Sequence, residues 1–157
     1  GSDFGMKVIA YDPYVSRRKA GAVKMYSRMS ELIRKSDIVS IHAALTPETR
    51  GMIGRGEMRG AKPGCLIINT ARGEIVDERA LLWALSAGRI GGAALDVYSV
   101  EPLPARHPLR VYARRHANLI LTPHLGASTA QAVEAAAREI AAGVEKFFRN
   151  SRREFRT

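Results

Sequence analysis

Short apolar runs alternate along this chain with segments of helical periodicity, and most runs end at a polar residue. The runs cover residues 6–11, 23–26, 37–42, 65–69, 91–95 and 118–122. Continuous apolar runs of this length are typical of buried strands, and helices between such strands place them in a parallel sheet. The sequence therefore predicts an α/β fold in which helices wrap a parallel sheet.

Three segments have the spacing of helices, at residues 27–36, 77–85 and 127–148. We expect Ser27 or Ser30 to cap the first helix and Asp77 to cap the second, because their side-chain oxygens can accept hydrogen bonds from first-turn amides. Gly88 follows the second helix at a position that favours a left-handed backbone. The segment 101–116, rich in Pro and Arg, is predicted to be a long loop.

The length of 157 residues and a hydrophobic content of 46% allow one sizeable core, so we expect a single domain. Cys65, the only cysteine, lies in an apolar run, which predicts a buried thiol and fits a reducing cytoplasm. No apolar stretch is long enough to span a bilayer, and no secretory signal is visible. We expect no metal site, because no His, Cys or carboxylate cluster has ligand spacing.

The formal charge of +10 raises the question of nucleic-acid binding. The basic residues are dispersed, apart from residues 17–19, 106–115 and 149–156. No recognition-helix, zinc-finger or RNA-binding-sheet pattern accompanies them. A solvated basic surface is therefore the preferred interpretation, and neither nucleic acid nor a membrane is expected as a partner. Binding to DNA with a steep salt dependence would favour the alternative.

Polar groups directly follow the predicted strands, at Asp12, His42, residues 70–73, Asp96 and His124. In open parallel sheets, ligands bind beyond the carboxyl ends of the strands. We therefore expect these positions to converge on one crevice.

Arg72 leaves a buried strand and enters a turn before a helix. Its planar guanidinium can bind the carboxylate of a 2-keto acid and polarise the adjacent carbonyl. Gly73 would let the backbone approach a ligand closely. The alternative is a structural arginine that satisfies helix carbonyls or pairs with Glu74.

Glu101 and His124 form a candidate acid/base pair. A histidine that donates a proton during carbonyl reduction must be protonated near neutral pH, and a carboxylate beside its other ring nitrogen favours that form. The alternative is a structural histidine at a strand end and an unrelated surface glutamate.

Asp12 is a candidate for binding the adenosine ribose of a dinucleotide, which would favour NAD over NADP. An Asp-Pro turn is the alternative, and the nearby Arg17 and Arg18 leave NADP open. Asp96 could contact a nicotinamide or simply cap its strand.

Several segments resemble the D-isomer-specific 2-hydroxyacid dehydrogenase family, in the order in which that family has them. They are residues 4–13, 45–51, 69–78, 92–102 and 122–129. The last, Thr-Pro-His-Leu-Gly-Ala-Ser-Thr, is most similar to the D-3-phosphoglycerate dehydrogenase branch. The resemblance implies a Rossmann-type, doubly wound parallel sheet and reversible hydride transfer between NAD and a 2-hydroxy or 2-keto acid.

The resemblance also implies residue roles. Arg72 corresponds to the substrate clamp, His124 to the acid/base and Glu101 to its partner. We expect the protein to be a homodimer. The residues expected to contact the cofactor are Asp12, His42, Ala44, Thr46, Thr70, Ala71, Arg72, Asp96, His124, Gly126 and Ala127.

The sequence departs from the family pattern in three ways. Ala44 replaces a usual proline, and the loop of residues 105–117 is longer and more basic. No Gly-x-Gly-x-x-Gly occurs, and neither the family's first strand nor its substrate-binding domain is visible. We therefore expect residues 1–157 to form an N-terminally truncated NAD-binding domain with two half-sheets facing across a gap.

Such a segment is expected to be nearly inactive alone. It is most simply a piece of a longer protein, although a second copy could supply the missing strand, or a decayed relative could fold differently. The alternative function is an NAD(H)-sensing, partner-binding module of corepressor type, without significant turnover.

Overall fold

The structure is a computed structural model that describes residues 1–15, 21, 23–126 and 128–154. It divides into two units, Gly1–Pro123 and His124–Thr157. Arg17, Arg18 and Ala127, which entered the predictions above, lie outside the described residues.

In the described part of the first unit, the strands form two separate parallel sheets. Their bounds are β1 (Ile9–Ala10), β2 (Lys24–Met25), β3 (Ile38–Ile41), β4 (Leu66–Asn69), β5 (Gly92–Leu95) and β6 (Leu119–Leu121). One sheet pairs β1 with β2, and the other has the order β3-β4-β5-β6. The predicted α/β fold with a parallel sheet is confirmed, as is its division into two half-sheets.

Helices precede β3 and connect the strands of the larger sheet. They are α1 (Met29–Lys35), α2 (Arg55–Gly60), α3 (Glu78–Ser86) and α4 (Pro108–Ala113), with a short 3-10 helix at Gly73–Ile75. The predicted cap of α3 is confirmed, since the Asp77 carboxylate accepts hydrogen bonds from the amides of Arg79 and Ala80. Gly88 follows α3 with a φ of 62°, which favours glycine.

The predicted serine cap of α1 is wrong. Arg28 occupies the cap position with an extended backbone and no side-chain hydrogen bond to the helix. Ser27 lies one residue too early and Ser30 is already inside the first turn, so neither occupies the cap position.

The segment 101–116 is not a continuous loop, because it contains α4. The His107 side chain accepts a hydrogen bond from the amide of Leu109, and Pro108 begins the helix. A proline fits there because a first-turn amide has no helical partner. Leu109 is fully buried and anchors α4 in the core.

Of the first predicted strand, residues 6–11, only Ile9–Ala10 forms a strand in the structure. Among the described residues β1 has one neighbour, β2, and pairs with it over two residues. The other residues of this run have no strand beside them, among the described residues, with which their backbone can hydrogen-bond, so the strand does not extend further.

The second unit contains α5 (Ala130–Glu154), which begins three residues later than predicted. Thr129 explains this start, because its hydroxyl accepts a hydrogen bond from the amide of Ala132 at 3.1 Å. Among the described helices, none is both long and apolar enough to cross a lipid bilayer.

The two faces of the larger sheet differ in burial. One face packs into the core with apolar residues from α1–α4, each of which contributes an almost fully buried side chain: Ile33, Met58, Leu81 and Leu109. Burying one such side chain stabilises the fold by about 1.5–3 kcal/mol. On the other face Ile38, Leu66 and Ile120 are 45%, 41% and 61% exposed.

Candidate active site

A crevice of about 600 Å³ opens at the carboxyl ends of β3 and β4. Its lining residues follow directly after those two strands: His42, Ala43, Ala44, Leu45, Thr70, Ala71 and Arg72. This is where an open parallel sheet binds its ligands. The structure therefore brings together five of the predicted site residues, namely His42, Ala44, Thr70, Ala71 and Arg72.

The turn that carries Arg72 is fixed by a buried amide. Asn69, the last residue of β4, is fully buried. Its Nδ2 donates to the Arg72 carbonyl oxygen at 2.9 Å, and its Oδ1 accepts from the amide of Ala71 at 3.0 Å. Both ends of the side chain are satisfied, so the turn is held without help from a ligand.

The guanidinium of Arg72 is exposed and donates to the Ala71 carbonyl oxygen at 2.6 Å. Glu74, the partner considered in the structural alternative, instead lies 3.7 Å from Arg50. A guanidinium held close to its own backbone at the rim of a crevice can bind a carboxylate.

Gly73 and Tyr98 bring the arginine turn against the segment that follows β5. A Cβ built on Gly73 would lie 1.9 Å from the carbonyl carbon of Tyr98. The Tyr98 hydroxyl donates toward two carbonyl oxygens, those of Leu95 at 3.1 Å and Thr122 at 2.6 Å. Burial, with a contribution from the Asp96 carboxylate, raises the pKa of Tyr98. Glycine is thus required at residue 73, because its backbone packs directly against the backbone of Tyr98.

Glu101 lies on this same segment. Its Oε1 accepts a hydrogen bond from the Tyr98 amide at 3.0 Å, and the residue is exposed. The Glu101 carboxylate is therefore hydrogen-bonded to the same Tyr98 backbone that packs against Gly73.

The loop after His42 is cross-linked by two threonines. The Thr49 hydroxyl donates to the Ala44 carbonyl oxygen at 2.7 Å and accepts from the Thr46 amide at 2.8 Å. A hydrogen bond from the Thr46 side chain lowers the pKa of Glu48. His42 Nε2 lies 2.9 Å from the Ser40 hydroxyl. These bonds shape the wall of the crevice that faces the arginine turn.

Asp12 and Asp96 are not among the described residues that line this crevice. Asp12 makes the turn considered for it above, because its Oδ1 accepts a hydrogen bond from the Tyr14 amide at 2.8 Å. Asp96 is only 9% exposed, and its carboxylate accepts a hydrogen bond from the Thr122 hydroxyl.

In the second unit, His124 is exposed and has a φ of 54°, the left-handed conformation in a residue other than glycine. The Leu125 carbonyl oxygen accepts a hydrogen bond from the Ser128 amide at 3.0 Å, which makes a tight turn ahead of α5. Gly126 precedes α5, and Ser128, which was predicted to lie in the helix, also precedes its first residue.

Sequence reasoning missed the residues that support the site. The Asn69 side chain holds the Arg72 turn, the Tyr98 amide binds the Glu101 carboxylate, and Glu78 binds both the Ser99 amide and His107. An asparagine at the end of an apolar run, two residues before an exposed turn, is a usable indication of an Asx turn. The sequence carries no comparable indication for the others. In the part of the chain that the structure describes, no three His, Cys, Asp or Glu side chains group as metal ligands would.

Residues 1–126 match the model of a protein family described as D-isomer specific 2-hydroxyacid dehydrogenase, NAD binding domain. The D-3-phosphoglycerate dehydrogenase of Methanocaldococcus jannaschii is 41% identical over 148 residues, or 93% of this chain and 27% of the relative. That of Bacillus subtilis is 40% identical over 145 residues, 92% of this chain and 27% of the relative. The chain thus spans about a quarter of the length of these curated relatives.

Solved structures agree with this match. The D-lactate dehydrogenase of Aquifex aeolicus, complexed with NAD and lactic acid, superposes with a TM-score of 0.80 at 31% identity, covering 95% of this chain and 48% of that one. A D-isomer specific 2-hydroxyacid dehydrogenase of Xanthobacter autotrophicus, in complex with NADPH and MES, gives 0.71 at 35% identity, covering 79% and 38%. The chain belongs to the D-isomer specific 2-hydroxyacid dehydrogenase family, through the NAD-binding domain of that family.

Proposed function

We propose that the intact protein is an NAD-dependent oxidoreductase that interconverts a D-2-hydroxy acid and its 2-keto acid, in the manner of 3-phosphoglycerate dehydrogenases. The crevice beyond β3 and β4 carries this proposal, because it combines small side chains with an exposed arginine on a rigid turn. The kinship with D-3-phosphoglycerate dehydrogenases supports the choice of substrate class.

The residues of the crevice fit a nicotinamide. Ala43, Ala44 and Ala71 are small enough to leave room for a flat ring, and Thr70 adds a polar group at the rim. When bound, NADH supplies the hydride that carbon 2 of the keto acid receives. We assign Asp12 to the ribose hydroxyls, which favours NAD over NADP. The other residues assigned to the cofactor are His42, Thr46, Arg72, Asp96, His124, Gly126 and Ala127.

Three side chains of this protein take part in the proposed reaction. Arg72 binds its carboxylate through two parallel hydrogen bonds and polarises the carbonyl. His124 gives its proton to the carbonyl oxygen as negative charge develops there, and takes it back in the oxidative direction. Glu101 orients the imidazole and favours its protonated form. One hydride and one proton convert the keto acid to the hydroxy acid.

The test is NADH oxidation by the intact protein with several 2-keto acids, including pyruvate and 3-phosphohydroxypyruvate. We expect Arg72→Ala and His124→Ala each to lower kcat/KM by about 100-fold or more. Arg50→Ala is the matched control, since this exposed arginine lies beside Glu74 and has no proposed role. Unchanged turnover in the first two variants would contradict the assignment. NADH binding without turnover in the unaltered protein would favour the sensing module.

We also propose a cytoplasmic homodimer. The apolar face of the larger sheet, with Ile38, Leu66 and Ile120, is exposed in this segment, and association with a second copy is one way to cover it. Cys65 is a free, buried thiol, which fits a reducing compartment. Sedimentation analysis of the intact protein tests the dimer, and a concentration-independent monomer would contradict it.

A further inference from the structure

Glu78 holds both ends of the segment that carries Glu101. It is the first residue of α3, and its side chain is only 12% exposed. One carboxylate oxygen, Oε1, accepts a hydrogen bond from the amide of Ser99 at 2.8 Å. The other, Oε2, lies 3.5 Å from Nε2 of His107. Ser99 and His107 flank Glu101 on its two sides along the chain.

His107 is itself fixed from the opposite side of its ring. Its Nδ1 accepts a hydrogen bond from the amide of Leu109 at 3.4 Å, which caps α4. Because Nδ1 accepts, the ring hydrogen of a neutral His107 must lie on Nε2. Nε2 of the neutral ring can therefore donate to Glu78 while Nδ1 keeps the cap of α4. Leu109 is fully buried, so this end of the segment is anchored in the core.

The Ser99 end of the segment sets the direction of Glu101. Ser99 directly follows Tyr98, whose amide donates to Oε1 of Glu101 at 3.0 Å. The hydroxyl of Tyr98 is tied to the Leu95 and Thr122 carbonyl oxygens. The Tyr98–Ser99 backbone is thus held by two independent anchors, the Tyr98 side chain and the Glu78 carboxylate.

We propose that Glu78 and His107 are positioning residues for the reaction: together they clamp residues 99–107 so that Glu101 keeps its orientation. This inference rests on the proposed role of Glu101. A carboxylate that is only 12% exposed and has two partners in one loop stabilises that loop more than surface pairs do, because less of its interaction is screened by water. Loss of the clamp lets Glu101 move while leaving every group that touches substrate in place.

The experiment compares pH profiles of kcat/KM for keto-acid reduction by the intact protein. In Glu78→Ala we expect kcat/KM to fall by about 10-fold to 100-fold, with the effect mainly on kcat. The alkaline limb of the profile should move to lower pH, because a mobile Glu101 no longer favours the protonated acid. Glu78→Gln keeps an acceptor for the Ser99 amide and should recover part of the loss.

His107→Asn separates the clamp from the helix cap. Asparagine caps helices well but is too short to reach Glu78 from this position, so α4 is retained and the tie is lost. We expect its alkaline limb to move in the same direction as that of Glu78→Ala.

Asp77→Ala is the matched control. Asp77 is the neighbouring acid, caps α3, and has no hydrogen bond to residues 99–107 among those described. It should lose stability with an unshifted pH profile. If Glu78→Ala and His107→Asn behave like Asp77→Ala, the positioning role is overturned.

A further variant separates this inference from the proposed function. Glu101→Gln should itself lower kcat/KM and move the alkaline limb. If it does neither, the proposed role of Glu101 fails, and the clamp fails with it. If it does both while Glu78→Ala and His107→Asn do not, only the positioning role fails.

Discussion

Replacing Gly73 by alanine tests whether the arginine turn and the segment after β5 must touch through their backbones. A Cβ at residue 73 would lie 1.9, 2.1 and 2.4 Å from the carbonyl carbon, carbonyl oxygen and Cα of Tyr98. Carbon atoms in contact stay about 3.5–4.0 Å apart, so the two backbones must separate by about 1.5–2 Å. All three atoms are backbone, and no change of side-chain rotamer relieves the overlap.

This separation should reduce both stability and activity. Overpacking in a well-packed region typically costs about 1–3 kcal/mol, and we expect about 3 kcal/mol because Tyr98 is buried and held by its hydroxyl. Arg72 precedes Gly73 and Glu101 is bonded to the Tyr98 amide, so the two proposed site residues move apart. A misplacement of about 1 Å lowers kcat/KM by about 100-fold.

The assay combines urea unfolding with NADH oxidation under conditions where the variant is folded. Gly91→Ala is the control, since its Cβ would lie 2.5 Å from the Gly64 carbonyl oxygen, a smaller backbone overlap at the opposite end of β5. Both variants should lose stability, and only Gly73→Ala should lose activity beyond its unfolded fraction. A Gly73→Ala protein within about 0.5 kcal/mol of the parent and with unchanged kcat/KM would refute the reasoning.

Three further predictions follow from the same site. Arg72→Lys should raise KM for the keto acid by about 10-fold or more, because an ammonium cannot make two parallel hydrogen bonds to a carboxylate. An unchanged KM in steady-state kinetics would contradict this. Asn69→Ala should lower the free energy of unfolding by about 1–3 kcal/mol, because it leaves the Ala71 amide and the Arg72 carbonyl without their buried partner. An unaltered midpoint of urea unfolding would contradict this expectation. Burial raises the pKa of Tyr98 above its ordinary value of 10.0, so the unfolded chain loses its phenol proton first and stability should decline as the pH rises above that value. Tyr98→Phe should lack this decline, and parallel urea midpoints of the two proteins between pH 8 and about 11 would show that the phenol is not responsible.

The parts of the fold that the sequence predicts well depend on local chemistry. Strands β3 to β6 arise from continuous apolar runs, and the residues of one face of the sheet pack against the helices. The start and end of α3 follow from Asp77 and Gly88, each of which acts on the residues next to it. The candidate crevice was likewise predictable, because parallel strands bring their carboxyl ends to one edge.

The elements that the sequence does not predict depend on distant contacts. Helices α2 and α4 have only six residues each, too few to be stable from propensity alone. Each has one fully buried side chain in the core, Met58 in α2 and Leu109 in α4, and neither has a periodic pattern around it. The first strand also depends on distant contacts. Its apolar run, residues 6–11, stays mostly unpaired because the described sheet has no further strand beside it.

The same distinction applies within the site. Arg72 and Glu101 are exposed, so their chemistry can be inferred from residue type, whereas the segment that carries Glu101 is held by partners far away in sequence. Glu78 and the Ser99 amide are 21 residues apart, and Tyr98 and Thr122 are 24 apart. The sequence motif identifies the Glu101 carboxylate but not the distant groups that hold its segment. Substitutions at these supporting residues should therefore reduce activity nearly as much as changes to the reacting groups, while leaving the family's motif around Arg72 intact.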